Sequence, residues 1–176
     1  MPTRLVDGDA YARSDKIARC SLSGEAWYLL LITLALGNGS FEADAQAIKI
    51  ALFSKGERQV MSADQVEGLL LEYERERLLV LWTAADGKRW GYWTAIERRL
   101  PKCSALKKGE HRLGEWVPAR KLAKALRKPV GLVLTELAER FAEVKGEPYL
   151  SELRRSRQDR AKTAVVPRKG LGEDKG

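Results

Sequence analysis

A single histidine, His111, and two cysteines, Cys20 and Cys103, are all that 176 residues offer a transition metal or a nucleophilic mechanism. The histidine lies in a Gly-, Lys- and Arg-rich stretch, where no periodic element brings an acid to it, and reads as solvated. The cysteines are far apart without metal-ligand spacing, so free thiols in a reducing compartment are expected rather than a disulfide. No metal and no cofactor are expected. The stretches "KKGEHRLG" and "RKGLG" lack the strand-then-helix context of a phosphate loop. Glu72, Glu74 and Glu76 alternate with Arg75 and Arg77 as surface charge and supply no acid–base pair. An enzyme is not expected.

Long hydrophobic runs are missing too. The longest, "AWYLLLITLALG", is too short and too interrupted by Thr and Gly to span a bilayer. No basic segment followed by an apolar stretch opens the chain, so no secretory signal is expected. The expectation is a soluble, cytoplasmic protein with no membrane partner. Its 44% hydrophobic residues suffice for one ordinary core, with a small second unit beside it.

What the chain has is positive charge, unevenly placed. Residues 1–100 carry 13 Lys and Arg against 14 Asp and Glu, whereas residues 101–176 carry 19 against 10. Such asymmetry points to a segment that meets a polyanion, although basic tails also serve solubility.

Hydrophobic periodicity predicts a first helix from Ala26 to Leu36, capped by Ser23, closed by "GNG" at 37–39 and buried nearly all round. A short extended piece near Phe41 follows. Asp44 then caps a second helix through about Ser54. Ser62 and Gln65 occupy capping-box positions, with Met61 and Val66 placed as a hydrophobic staple. The helix they open carries Val66, Leu69, Leu70 and Tyr73 at helical spacing to about Arg77. Leu78 to Thr83 and Arg89 to Ile96 read as a hairpin. Three of the five tryptophans, Trp82, Trp90 and Trp93, surround its Asp86-Gly87 turn. A two-residue loop would set Thr83 opposite Trp90, Leu81 opposite Tyr92, Val80 opposite Trp93 and Trp82 over Gly91. Both faces would then be apolar, one on the helices and the other covered by something else or open to a partner.

This order predicts an α+β, mainly α fold. It is a winged helix–turn–helix (three helices plus a β-hairpin wing) over residues 1–100. A basic linker at 101–115, a small basic helical unit at 116–155 and a disordered tail at 156–176 would follow. In the helical unit, Pro118 and Pro129 open two helices. Leu122, Ala123 and Leu126 face inward on the first, and Val130, Val133, Leu134, Leu137 and Phe141 form a stripe on the second. "LRRSRQDRAK" either prolongs a helix or frays.

The residues "MPTRLVDGDA", "RSDKIAR", "GNGSFEADAQAI", "QVEGLLLEYERERLLVLW" and "DGKRWGYW" resemble a winged-helix domain of prophage-type proteins. Among these are the N-terminal modules of replication initiator and replisome-organiser proteins. The resemblance implies a DNA-binding, phage-related replication role, although the large C-terminal portions of such initiators are missing. More weakly, "LAKAL", "VLTELAE", "EVK" and "LSEL" within 117–153 are similar to the small helical N-terminal domain of the bacterial translation initiation factor that delivers initiator tRNA.

The outward face of the third helix would show Asp64, Glu67, Gly68, Leu71, Glu72 and Arg75. Three carboxylates against one guanidinium oppose the usual major-groove docking. Leu71 fits a protein contact or is merely one exposed leucine. The candidate nucleic-acid contacts are Lys88 and Arg89 at the wing and Arg98, Arg99 and Lys102 after it. Arg120, Lys121, Lys124, Arg127 and Lys128 join them, falling within roughly one third of a helix circumference. The function expected is a nucleic-acid-binding accessory protein of low sequence specificity, with DNA favoured over RNA. The alternative is a protein–protein adaptor using Glu67, Leu71, Glu72 and Arg75 or the aromatic hairpin, docking on a replication component or another protein.

Overall fold

A computed structural model of the chain describes residues 13–53, 61–94, 108–109, 112–144 and 147–164. A one-turn helix, α1 (Asp15–Ala18), is capped by the Ser14 hydroxyl, which accepts from Ile17 N. Next comes α2 (Leu22–Leu31), followed by a 3-10 turn at Ile32–Leu34. Its N-cap is Ser21, whose hydroxyl accepts from Gly24 N at 3.0 Å, and not the expected Ser23. Ser21 prevails because the Glu72 carboxylate accepts from both its N–H and its hydroxyl, a tertiary contact invisible to local pattern. Nor is α2 buried all round: Tyr28 and Leu31 are, Leu29 and Leu30 are half-buried, and Leu22 is 87% exposed.

The strand β1 (Ser40–Glu42) leads to α3 (Ala45–Phe53), where Asp44 Oδ1 accepts from Ala47 N at 2.6 Å. The capping box at Ser62 and Gln65 is present and opens α4 (Ala63–Arg75), with Met61 and Val66 both buried. Its apolar stripe of Val66, Leu69, Leu70 and Tyr73 is buried, as the spacing required. The helix ends with Arg77 in the left-handed region, φ 59°, and Leu78 N donating to Tyr73 O at 2.9 Å.

Strands β2 (Leu79–Thr83) and β3 (Arg89–Trp93) complete an antiparallel sheet of order β1-β3-β2. Its register is one residue off the sequence expectation. Thr83 pairs with Arg89, Trp82 with Trp90, Leu81 with Gly91, Val80 with Tyr92 and Leu79 with Trp93. The loop holds three residues, not two. Gly87 N donates to Ala84 O at 3.0 Å, Ala84 N donates to Lys88 O at 2.8 Å, and Gly87 alone takes a positive φ, 81°. A three-residue loop of this kind needs just one residue at positive φ, at the glycine. Asp86 therefore stays out of the left-handed region, and its carboxylate accepts from Lys88 N at 3.0 Å.

One residue of slip reassigns the faces. Leu79, Leu81 and Trp93 share one face with Phe41, while Val80, Trp82, Trp90 and Tyr92 share the other. Gly91 lies under Phe41 of β1 rather than under Trp82: a Cβ there would meet Phe41 Cζ at 2.6 Å. On the helical face Trp93, fully buried, stacks on Phe41 at 5.4 Å and meets Tyr28 and Tyr73 edge-on at 5.3 and 5.5 Å. The Tyr73 hydroxyl donates to Gly24 O at 2.6 Å, satisfying its polar end inside the core.

The other face is covered by the chain's own C-terminal part. That part comprises α5 (Ala119–Leu126), α6 (Val130–Phe141) with a 3-10 turn at Ala142–Val144, and α7 (Glu147–Ala164). Residues 112–115, read from sequence as linker, are hydrogen-bonded in place. Arg112 O accepts from Gly37 N at 2.8 Å, and Asn38 binds Gly114 and Glu115. Trp116 packs edge-on against Phe141 and Tyr149 at 5.1 and 5.6 Å, and Tyr149 donates to Val117 O at 2.9 Å. Leu122, Ala123, Val133, Leu134, Leu137 and Phe141 are buried, Leu126 is half-buried, and Val130 is 39% exposed. One hydrophobic cluster runs through both parts. Helix α7 carries the chain to Ala164, through residues expected to be tail. No described helix is long and apolar enough to cross a membrane.

Candidate nucleic-acid interface

The two cations of the hairpin, Lys88 and Arg89, are both paired within the protein. Arg89 Nη1 lies 2.7 Å from both carboxylate oxygens of Glu67, joining the hairpin to α4. Lys88 Nζ is 3.7 Å from Glu42 of β1, a looser pair with both side chains about half exposed. In the observed register Arg89 opens β3 opposite Thr83, where the two-residue loop would have set it opposite Ala84.

The acidic face of α4 is likewise engaged. Glu67 holds Arg89, and Glu72 caps α2 through Ser21. Arg75 reaches Glu76 at 3.3 Å and Glu72 at 3.9 Å, and Arg19 reaches Glu76 at 2.9 Å. Those two guanidiniums hold the Glu76 carboxyl below its ordinary range. Leu71 remains 50% exposed.

The basic flank of α5 is the part that stays open. Its amphipathic pattern buries Leu122 and Ala123 and leaves Arg120, Lys121, Lys124, Arg127 and Lys128 exposed. Lys128 Nζ pairs with Glu136 at 3.1 Å, and Lys121 Nζ donates to Leu81 O at 3.1 Å on β2. Among the described residues, Arg120, Lys124 and Arg127 have no ion pair with a carboxylate. Of the remaining expected contacts, Arg98, Arg99 and Lys102 lie outside the described residues, as do His111 and Cys103.

The fold also adds two cations that the sequence did not single out as contacts, Lys16 and Arg77. Lys16 Nζ donates to Arg77 O at 3.1 Å, placing α1 against the end of α4. Burial, then repulsion by Arg19 and by Arg127, lowers the Lys16 pKa from its ordinary 10.5. A cleft of about 320 Å³ opens beside this cluster, lined by Glu74, Arg75, Arg77, Leu79, Val80, Leu81, Lys121, Lys124 and Ala125. The sequence places Arg75 on the adaptor face and Arg77 as ordinary surface charge. Only the docking of α5 on β2 turns them toward Lys121 and Lys124, and no local signal carries that. Among the described residues, no group of three or more His, Cys, Asp or Glu side chains could hold a metal ion. Burial, then the Glu72 and Glu76 carboxylates, push the Cys20 thiol up to about 11, which makes it a poor nucleophile. No family model, no curated protein and no solved structure matches the chain.

Proposed function

We propose that the protein is a cytoplasmic, winged-helix nucleic-acid-binding accessory protein of the prophage and replication type. It grips the sugar–phosphate backbone with low sequence specificity, DNA in preference to RNA. The helix–strand–helix–helix–strand–strand order, with the β1-β3-β2 sheet, supports the winged-helix part of this reading. The observation that carries the binding part is the α5 flank. Arg120, Lys124 and Arg127 are exposed without a carboxylate partner among the described residues, whereas both wing cations are paired. Of the expected contacts, those on α5 are therefore favoured over those of the wing. Phosphate contacts of this kind fix affinity without reading bases.

Fluorescence anisotropy of the full chain with labelled DNA and RNA at two salt concentrations tests this. Three phosphate contacts give a logarithmic salt slope of roughly −3. Reversing Arg120, Lys124 and Arg127 to Glu together should abolish binding, and undiminished affinity would remove α5 as the contact. The adaptor alternative has less support, because Glu67 and Glu72 already hold Arg89 and Ser21.

A further inference from the structure

We infer that the cleft between the end of α4, the outer edge of β2 and α5 binds one nucleoside phosphate, the nucleotide unit of a single strand or a free nucleotide. This rests on the nucleic-acid reading above and narrows it from a basic flank to a pocket. Arg75, Arg77, Lys121 and Lys124 line the space with Glu74 as the one lining carboxylate, Arg75 being already paired with Glu72 and Glu76, and Leu79, Val80, Leu81 and Ala125 complete its wall. Cations and apolar side chains in one wall suit a ligand with a phosphate at one end and a flat, weakly polar ring at the other. The volume, about 320 Å³, is at the small end of ligand sites and admits a single nucleotide, not a duplex.

The strand edge itself argues against a peptide. Leu81 turns its N–H and C=O outward, as an added β-strand would require. Both are taken: Glu74 Oε1 accepts from Leu81 N at 3.2 Å, and Lys121 Nζ donates to Leu81 O at 3.1 Å. A pairing strand would have to displace both side chains. An anion gains from the lysine where it stands.

Backbone strain at the cleft points the same way. The two described non-glycine residues with positive φ are Arg77, 59°, and Arg127, 56°, following the last turns of α4 and α5. Glycine is the unstrained residue at such helix ends, and an arginine there is accommodated at a cost. Arg77 lines the cleft, whereas Arg127 follows α5 outside its lining. Strain kept in a side chain whose distinguishing property is its charge marks that charge as used.

The test uses the full chain with Arg77→Gly and Lys124→Glu variants. A labelled single strand and its duplex are compared by anisotropy, and thymidine 5′-monophosphate is titrated by amide NMR. We expect the single strand to bind about tenfold tighter than duplex, and each variant to weaken it about tenfold. Arg77→Gly should at the same time raise the urea midpoint, so lost binding is not lost folding. The mononucleotide should shift the Leu79–Leu81 amides. Shifts without strand binding keep the pocket, assign it to a free nucleotide and sink the nucleic-acid reading. Equal single-strand and duplex affinities, unaffected by Arg77→Gly and with no amide shift, overturn the pocket and leave the nucleic-acid reading standing. No binding by any probe overturns both.

Discussion

The carboxamide of Asn38 and the peptide of Gly114 exchange two hydrogen bonds, 2.9 Å each, across 76 residues of chain. Asn38 Nδ2 also donates to Glu115 O at 3.1 Å, and its Oδ1 accepts from the Ser40 hydroxyl at 3.0 Å. The side chain thus behaves like a short strand partner, fastening 112–115 to the turn that enters β1. Asn38 and Ser40 are buried, so the Ser40 hydroxyl cannot turn to water if its partner is lost, whereas Gly114 is half-buried and Glu115 exposed.

Asn38→Ala should therefore cost about 2 kcal/mol, from the lost hydrogen bonds to 114 and 115 and the stranded Ser40 hydroxyl. Asn38→Asp should cost more, because it sets a carboxylate against the Gly114 and Glu115 carbonyls. Urea unfolding followed by tryptophan fluorescence and far-ultraviolet circular dichroism gives the measurement. Coincident single transitions are expected in the parent, since one core joins both parts. Two separate transitions would contradict that union.

Gly91→Ala reports on the sheet. Its new methyl would meet the Phe41 ring at 2.6 Å and Leu79 Cδ1 at 3.2 Å, and overpacking of this kind costs about 1–3 kcal/mol. Phe41→Leu should recover part of that loss in the double variant, giving a coupling free energy of opposite sign. Under the register expected from sequence, Trp82 rather than Phe41 would be coupled to position 91. A double-mutant cycle with each partner decides the matter.

The Arg89–Glu67 pair of the hairpin makes a third energetic prediction. Since Glu67 already satisfies Arg89, Arg89→Ala should leave nucleic-acid affinity within about twofold. With about a third of each side chain exposed, the pair should add no more than about 1 kcal/mol to stability. Anisotropy and urea unfolding measured on the same variant separate the two effects. A large loss of affinity would return the hairpin to the proposed binding surface.

The sequence was most legible where signals are local. Ser62 and Gln65 declared the start of α4, Asp44 the start of α3, and the spacing of Val66, Leu69, Leu70 and Tyr73 the buried face. Long-range determinants were not legible. Ser21 became the α2 cap because of Glu72, 51 residues away. The hairpin slipped because Asp86-Gly87 is compatible with both two- and three-residue loops, and the choice lies in the φ of one residue. The cations of α5 were placed correctly on an exposed flank. That Lys121 would bend to Leu81, Lys128 to Glu136, and Arg77 join the set depended on how α5 and α6 dock, which periodicity does not encode.

Cys20 offers a prediction with a definite sign. Its thiol donates weakly to Lys16 O at 3.5 Å and sits near Glu72 and Glu76, so burial and negative charge both disfavour the thiolate. Raising its pKa from 9.0 to about 11 leaves a thiolate fraction smaller by about a hundredfold at mildly alkaline pH. In a Cys103→Ser variant, an aromatic disulfide reagent should therefore modify Cys20 about tenfold more slowly than the urea-unfolded chain, the greater nucleophilicity of a more basic thiolate offsetting part of its lower fraction. Because the folded pKa exceeds the unfolded one, the proton is held more tightly in the native state. The associated stability is complete below about pH 9 and is lost as pH rises through about 11. Lys16, whose pKa is lowered from 10.5, contributes in the opposite sense below that value. Comparing the alkaline stability slope of Cys20→Ser with its parent isolates the thiol, and the substituted protein should fall off less steeply. Equal slopes, or native-state modification as fast as in urea, would place Cys20 in water rather than against α4.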